Sequence, residues 1–458
     1  MRFESRKIAY TENGYRTATA VEAQQLIQWA VRCHSVSWQH VPLSDYCDLG
    51  FYADCLIGDD VGREYGMGIH LHFGKGTTAL QSQLSGAFEA FERTSSRFGA
   101  DTPSRHGSYS ELVDSRCRVV DPHSMLLPRP DDVGRSDFYM STVTTSYDPE
   151  TELDWVEAWS IHDQEMVLLP VCFVCSIRHA DPVNNIACNR PNGLSSGSCL
   201  EEAVLGGLFE LVERDACCLY AIHSLPMPNV APSSIDIESV QNFLDRARHA
   251  GVEVVVKNIT SDLGIPTFCT FIFDQSAGRP RVVSGVGTHL SRDIALLRSV
   301  TEACLDRAAS RWQMPRLEGL RMDDVPPVLR WEARRYRSKL FGGHGSSTDY
   351  VRRSCATQDF CDVPTSHFED LRSAIKEVLS ILKRNGIDRV FVADLTRLDV
   401  PTVRVLVPDL ELITKVFYRL ESAERNRSRR LFSAPKKMGY VEDADFIPLS
   451  GLDNDHLL

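Results

Sequence analysis

A ten-residue stretch occurs twice in this chain, 121 positions apart: residues 84–93 read LSGAFEAFER and residues 205–214 read LGGLFELVER. Leu84, Gly86, Phe88, Glu89, Glu92 and Arg93 recur as Leu205, Gly207, Phe209, Glu210, Glu213 and Arg214. At the same offset Gly76-Thr77 matches Gly197-Ser198. The fold must therefore house two similar pieces. Each reads as a glycine-rich loop, a hydroxyl N-cap at Thr77 or Ser198, and a helix with glutamates on its polar face.

The helical repeat fixes which side chains share a face. Ser85, Glu89 and Glu92 are spaced i, i+4, i+7. Glu202, Glu210 and Glu213 also align, because eleven residues return the chain to within roughly 20° of its starting direction. Phe88, Phe91, Phe209 and Val212 point elsewhere and can pack inward. Carboxylates gathered on adjoining faces repel one another by about 4 kcal/mol at 4 Å and an effective dielectric near 20. Open water, raised pKa values or cations relieve that repulsion. Magnesium commonly combines a few carboxylates with substrate phosphates. The glycine loops fit the same picture, since helix N-termini present free N–H groups to anions. GKG at 74–76 is no Walker A motif, because Gly76 rather than Ser or Thr follows Lys75. A third helix, SRDIALLRSVTEACLDRAASRW, adds Glu302 to the acids and Arg307 as a cation for phosphate.

Composition narrows the partners. The 458 residues carry a formal net charge of −12, which argues against a general nucleic-acid binder. A triphosphate remains compatible, with divalent metal bridging acid to phosphate. No apolar run reaches the roughly 18 residues a membrane span needs. The first residues lack the apolar core of a secretory signal, so the expected compartment is the cytoplasm, with no membrane association. Of the 14 cysteines, Cys172 and Cys175 form a lone CxxC in LLPVCFVCSI. That segment reads as a buried strand with reduced thiols rather than a zinc site.

Along the chain, residues 20–33 have helical periodicity and 66–73 alternate like a strand, with His70 and His72 as two side chains on one strand face. A strand-rich stretch covers 143–176, and the second loop and helix cover 192–220. A βαβ-like rhythm follows: helix 238–250, strand 252–259, strand 267–273, strand 281–290 and the third helix. Residues 341–349 read as a mobile loop, flanked by Arg334, Arg335, Arg337, Arg352 and Arg353 on solvated helix faces. Helix 368–384 and strands RVFVADLT and TVRVLVPDL close the core, and the tail from 431 reads as polar and irregular. The division expected is an N-terminal extension over 1–65, a catalytic domain over 66–430 and a tail over 431–458.

The stretches GKGTTALQSQLSGAFEAFER, NGLSSGSCLEEAVLGGLFELVERDA, TSDLGIPTF, SVTEACLDRA and VADLTRLDVPTVRVLVPDLE, in this order, resemble the diagnostic motifs of the YcaO superfamily. The resemblance implies an α/β (mixed α+β) fold with internally duplicated helix–sheet halves around a nucleotide site. It implies ATP- and Mg2+-dependent phosphorylation of a peptide backbone amide oxygen. A nucleophile then attacks the carbonyl carbon and phosphate leaves, giving an azoline, a thioamide or an amidine. Carried over motif by motif, Lys75, Ser85 and Glu89 would contact nucleotide. Glu89, Glu92, Glu202, Glu210 and Glu213 would hold magnesium. Arg214 and Arg307 would face phosphate and, with Glu302, act in catalysis.

The chain departs from the family pattern in three places. Leu305 stands where the third motif commonly has Gln, Pro191-Asn192 opens the second motif without a hydroxyl, and the end SGLDNDHLL lacks a PxPxP segment. That ending favours thioamide over azoline formation. The expected partners are a precursor peptide or protein substrate and a separate TfuA-like or ThiF-like leader-binding protein; family members often pair as homodimers. Two other readings compete: a nucleotide-binding accessory protein that assists another modifying enzyme, as in ribosomal protein methylthiolation, and a kinase or ligase for a small metabolite.

Overall fold

The computed structural model describes residues 3–9, 14–58, 71–125, 127–128, 133, 143–177, 184–187, 191–274, 281–321, 323–325, 349–410 and 429–440. His70, the arginines at 334, 335 and 337, and nearly all of the expected loop at 341–349 lie outside them. The chain divides into two compact units. Unit one holds Met1–Lys7, Phe91–Asp215 and Asp370–Ala434; unit two holds Ile8–Ala90, Ala216–Glu369 and Pro435–Leu458.

Unit two contains two sheets. The first joins β1 (Gln39–Pro42), β2 (Tyr52–Ile57) and β3 (Leu71–Gly76), all antiparallel. The second has the order β11-β10-β9-β8-β12. Its strands are β8 (Asn229–Val230), β9 (Glu253–Asn258), β10 (Thr267–Asp274), β11 (Arg281–Thr288) and β12 (Thr357–Gln358). The sequence rhythm read as βαβ-like, which leads to parallel strands, yet β9, β10 and β11 form an antiparallel meander. The physical reason is connection length: eight residues link β9 to β10 and six link β10 to β11, too few for a parallel crossover.

Helices cover the meander. We number α1 (Ala20–Cys33), α2 (Ala79–Ser95), α3 (Leu200–His223), α4 (Glu238–His249), α5 (Arg292–Glu318), α6 (Leu371–Arg384) and α7 (Arg429–Lys437), with shorter helical turns between them. Thr19 and Glu22 form a reciprocal capping box that starts α1. Phe243 and Ala247 of α4 and Leu296 and Val300 of α5 bury against Val256, Phe268 and Ile272. Farther along α5, Ala308, Ala309 and Trp312 close over Ala53, Cys55 and Leu71 of the first sheet.

Unit one is built on the antiparallel order β4-β5-β13-β14-β7, with β6 on the other edge of β5. Its strands are β4 (Arg105–Gly107), β5 (Leu153–Ser160), β6 (Glu165–Pro170), β7 (Leu194–Ser196), β13 (Phe391–Asp394) and β14 (Thr402–Leu406). Val156, Leu169, Val174, Phe391 and Leu395 share its core. The expected strand through the CxxC stops at Pro170, and a short helix Val171–Val174 takes over. Cys172 and Cys175 are buried thiols outside any disulfide, pushed up to about 12 and about 11 by desolvation. The tail read as irregular from 431 instead contains α7, with Pro435 inside it. Among the described residues no helix is long and apolar enough to cross a membrane.

Candidate functional site

The two sequence copies fold into the same device. In the first, β3 leads through Gly76 into α2; in the second, β7 leads through Gly197 into α3. Both glycines are required by contact. A Cβ on Gly76 would stand 2.6 Å from Gln81 Cβ, and one on Gly197 would stand 2.7 Å from Glu202 Cβ. The expected N-caps move by one residue. Thr78, not Thr77, accepts from Gln81 N–H at 3.2 Å, and α3 begins after Cys199. Thr77 and Ser198 serve otherwise: their N–H groups donate to Gln81 Oε1 and Glu202 Oε2, each at 3.0 Å. Higher on each helix a glutamate accepts from backbone in the strand or just before it. Phe73 N–H donates to Glu89 at 3.1 Å, and Gly193 N–H donates to Glu210 at 3.0 Å.

A third strand-to-helix unit follows the same plan. β11 lays Gly285 and Gly287 on α5, where a Cβ would meet backbone at 2.1 Å and 2.2 Å. Glu302 lies at the Gly285 contact itself, where its backbone carbon would stand 2.6 Å from an added Cβ, and its side chain pairs with Lys75 of β3. Arg307, expected to face phosphate, is buried and gripped by two aspartates. Its Nε donates to Asp274 at 2.7 Å, and its Nη atoms bind Asp48. Burial weakens the guanidinium charge, but the Asp48 and Asp274 contacts outweigh that and raise its pKa. The sequence offered no signal for these partners, which come from a loop and a strand end far away in the chain.

The second copy carries the buried charge. Glu202 and Glu213 are 3% and 4% exposed, so the face read as polar does not open to bulk water. Arg214 stands 3.9 Å from Glu210 and 3.5 Å from Glu213. In the first copy Arg93 stands 3.8 Å from Glu92. Ser85 is half-buried on α2.

Arg404 of β14, absent from the sequence prediction, sits within this charge set in unit one. It is 6% exposed, and burial lowers its pKa to about 10. Glu210 and Glu92 oppose that shift, while Arg93 adds to it. Acids from both copies thus act on one guanidinium. An arginine in the apolar strand TVRVL was the available signal, because a buried cation needs an acid nearby.

The donor set suits a hard cation: every candidate ligand is a carboxylate oxygen. Among the described residues no three His, Cys, Asp or Glu side chains already stand together as a metal cage. A cavity of about 1280 Å³ in unit one lies elsewhere, lined by Trp155, Glu157, Trp159 and Arg397 among others and by none of the predicted site residues.

Comparison with known proteins bears on the family and the fold. An uncharacterized protein of Methanothermobacter thermautotrophicus is 30% identical over 349 residues, covering 76% of this chain and 83% of the relative. An uncharacterized protein in the tfuA 3′ region of Rhizobium leguminosarum bv. trifolii is 30% identical over 237 residues, 48% of this chain and 52% of the relative. The fold is similar to that of a heterocyclase solved in complex with substrate and cofactor, with a TM-score of 0.76 and 24% identity over 97% of this chain. This chain spans 57% of that heterocyclase's length. Residues 73–411, which include the acids of both copies, match the family model described as YcaO cyclodehydratase, ATP- and Mg2+-binding, and the chain belongs to that family.

Proposed function

We propose that this protein uses ATP and Mg2+ to activate a backbone amide oxygen of a ribosomally made peptide or protein for nucleophilic replacement. The amide oxygen takes the γ-phosphoryl group of ATP and ADP leaves. The nucleophile then attacks the carbonyl carbon, and the carbon–oxygen bond breaks as phosphate departs. An amide oxygen is a poor leaving group, and phosphorylation makes it a good one; the remaining work is positioning and charge stabilisation.

The observation that supports this most is the charge set of unit one, where Glu92 and Glu210 act on Arg404 beside Arg93, and Arg214 stands against Glu210 and Glu213. In this reading Glu92, Glu210 and Glu213 of unit one would supply magnesium ligands, each ion taking one or two of these carboxylates and completing its shell with water and phosphate. Glu202 would do so near the start of α3; for Glu89, which belongs to unit two, a metal-ligand role is what the family resemblance implies. Bound magnesium neutralises charge on the polyphosphate. Arg214 supplies phosphate contacts, while Glu210 and Glu202 keep their places through the Gly193 and Ser198 N–H groups. Ser85 and Lys75 serve as nucleotide contacts, and Glu302, paired with Lys75, as a catalytic carboxylate. Arg307, gripped by Asp48 and Asp274, acts on phosphate only if nucleotide draws it away from those partners.

Within this chemistry we favour sulfur as the incoming atom, supplied by a TfuA-like partner. The support is the Rhizobium relative, named for its place in the tfuA 3′ region. A homodimer in the cytoplasm is the working assembly.

Glu210→Gln and Glu213→Gln test the core of the proposal. Each should reduce Mg2+-dependent ATP turnover by about 100-fold or more, a loss of transition-state stabilisation. Near-wild-type turnover in both would sink the metal assignment. Mass spectrometry of the partner peptide separates the products: loss of one water means an azoline, and exchange of oxygen for sulfur means a thioamide.

A further inference from the structure

Helix α7 lies beyond the residues that match the family model, yet it reaches the second motif. Arg430 is 6% exposed and Asp215 is fully buried. The Arg430 Nε donates to Asp215 Oδ1 at 3.0 Å, and Nη2 donates to Oδ2 at 2.6 Å. This is the fork-on-carboxylate geometry that fixes direction as well as distance. Asp215 directly follows Glu213 and Arg214 on α3. At about 100° per residue it points roughly 200° away from Glu213, so the fork grips that turn from its far side.

The contacts continue on the same helix. Within unit two, Met438 and Tyr440, just past α7, pack against the buried cluster to which Ala216, Cys217 and Tyr220 of α3 belong. Lys437 reaches Asp262 at 3.4 Å, and Asp262 belongs to the TSDLG motif. The two basic ends of α7 therefore meet aspartates of two different sequence motifs. A buried ion pair is often no more stable than an apolar pair of the same shape, but the two parallel bonds of an Arg–carboxylate fork add geometric specificity. A metal and phosphate site needs that narrowness, because tolerances near 0.5 Å separate a working site from a loose one.

We propose that Arg430 is a positioning residue: through Asp215 it fixes the turn of α3 that presents Glu213 and Arg214, which makes nucleotide binding depend on the C-terminal helix. This rests on the assignment of Glu213 and Arg214 to the magnesium–nucleotide site.

Arg430→Met and Arg430→Lys in the full chain test it. The measurements are the affinity for a fluorescent ATP analogue in Mg2+, the affinity for Mn2+, the KM for ATP against kcat, and the melting temperature. The Met variant, held below its melting transition, should lose about 10–100-fold in nucleotide–metal affinity, the usual effect of removing a residue that orients a ligand. The Lys variant should recover part of that loss, since it restores charge without the fork. A Met variant that melts earlier but binds nucleotide within about two-fold of wild type overturns the proposal. If Arg430→Met does not fold, Asp215→Asn, which keeps the shape and removes the charge, is judged by the same affinities. Absence of nucleotide binding in the wild-type chain would instead overturn the functional assignment, and this inference with it.

Discussion

The two copies share a backbone and differ in charge. Thr77 and Ser198 each donate an N–H to the side chain four residues on, at 3.0 Å in both copies. That acceptor is the neutral Gln81 in one copy and the buried Glu202 in the other. Bulk is also exchanged between strand and helix. The first copy has Gly74 on the strand and Ser85 on the helix; the second has Ser195 and Gly206 at the matching positions. The scaffold asks only for an acceptor and for a close strand–helix approach. An amide satisfies the first demand as well as an acid does, so the carboxylate at 202 answers to something other than folding.

The largest effect expected from breaking this correspondence is at Gly74. A Cβ there would stand 1.9 Å from the Ser82 carbonyl oxygen and 2.4 Å from the Gly86 nitrogen, both backbone atoms that cannot rotate aside. Gly74→Ala should therefore cost about 3 kcal/mol or more, at the upper end for overpacking. Ser195→Gly at the matching place should cost about 1 kcal/mol or less, mainly in chain entropy. Denaturant titration of the two variants checks the asymmetry; equal losses would mean that the strands do not approach their helices differently.

Much of this was legible in the sequence, for a simple reason. Repeated glycines and helical spacing report local geometry, and local geometry repeats whenever the scaffold does. Depth is another matter. Periodicity places Glu202 and Glu213 on a common face but cannot say that the face is covered, and both proved buried. Partners remote in the chain were equally hidden: Asp48 and Asp274 for Arg307, and Arg430 for Asp215. Arg404 was visible as a charge inside an apolar strand, but its neighbours come from two helices that only the fold brings near it. Helix α7 was hidden in a tail read as polar and irregular, because a short, largely basic segment with Pro435 inside it gives little helical signal.

The next comparison exchanges the acceptors themselves. Glu202→Gln gives the second copy the residue of the first. Its Oε1 can still take the Ser198 N–H, so unfolding free energy should change by less than about 1 kcal/mol. If the charge at 202 serves magnesium, metal affinity should fall by about 10–100-fold. The converse, Gln81→Glu, keeps the Thr77 bond and should leave metal affinity within about three-fold, because charge alone does not make a metal site. Mn2+ titration of both variants distinguishes the copies. Equal responses would show that the second copy has no special claim to the cation.

The smallest effect is expected at the helix partner of that exchange. Ser85 is half-buried, and its counterpart Gly206 lies under Ser195, whose Oγ would stand 2.5 Å from an added Cβ. Ser85→Ala removes one hydroxyl from a helix interior, where alanine is the better helix former, so stability should hold or rise by about 0.5 kcal/mol. A single neutral hydrogen bond to nucleotide is worth about 0.5–1.5 kcal/mol, which limits the loss of ATP affinity to roughly ten-fold. Gly206→Ala should leave ATP affinity unchanged and cost about 1 kcal/mol of stability, since the Ser195 hydroxyl can turn away from the new methyl group. An ATP titration that weakens at 206 but not at 85 would reverse the assignment, placing the nucleotide contact on the copy that lacks the serine.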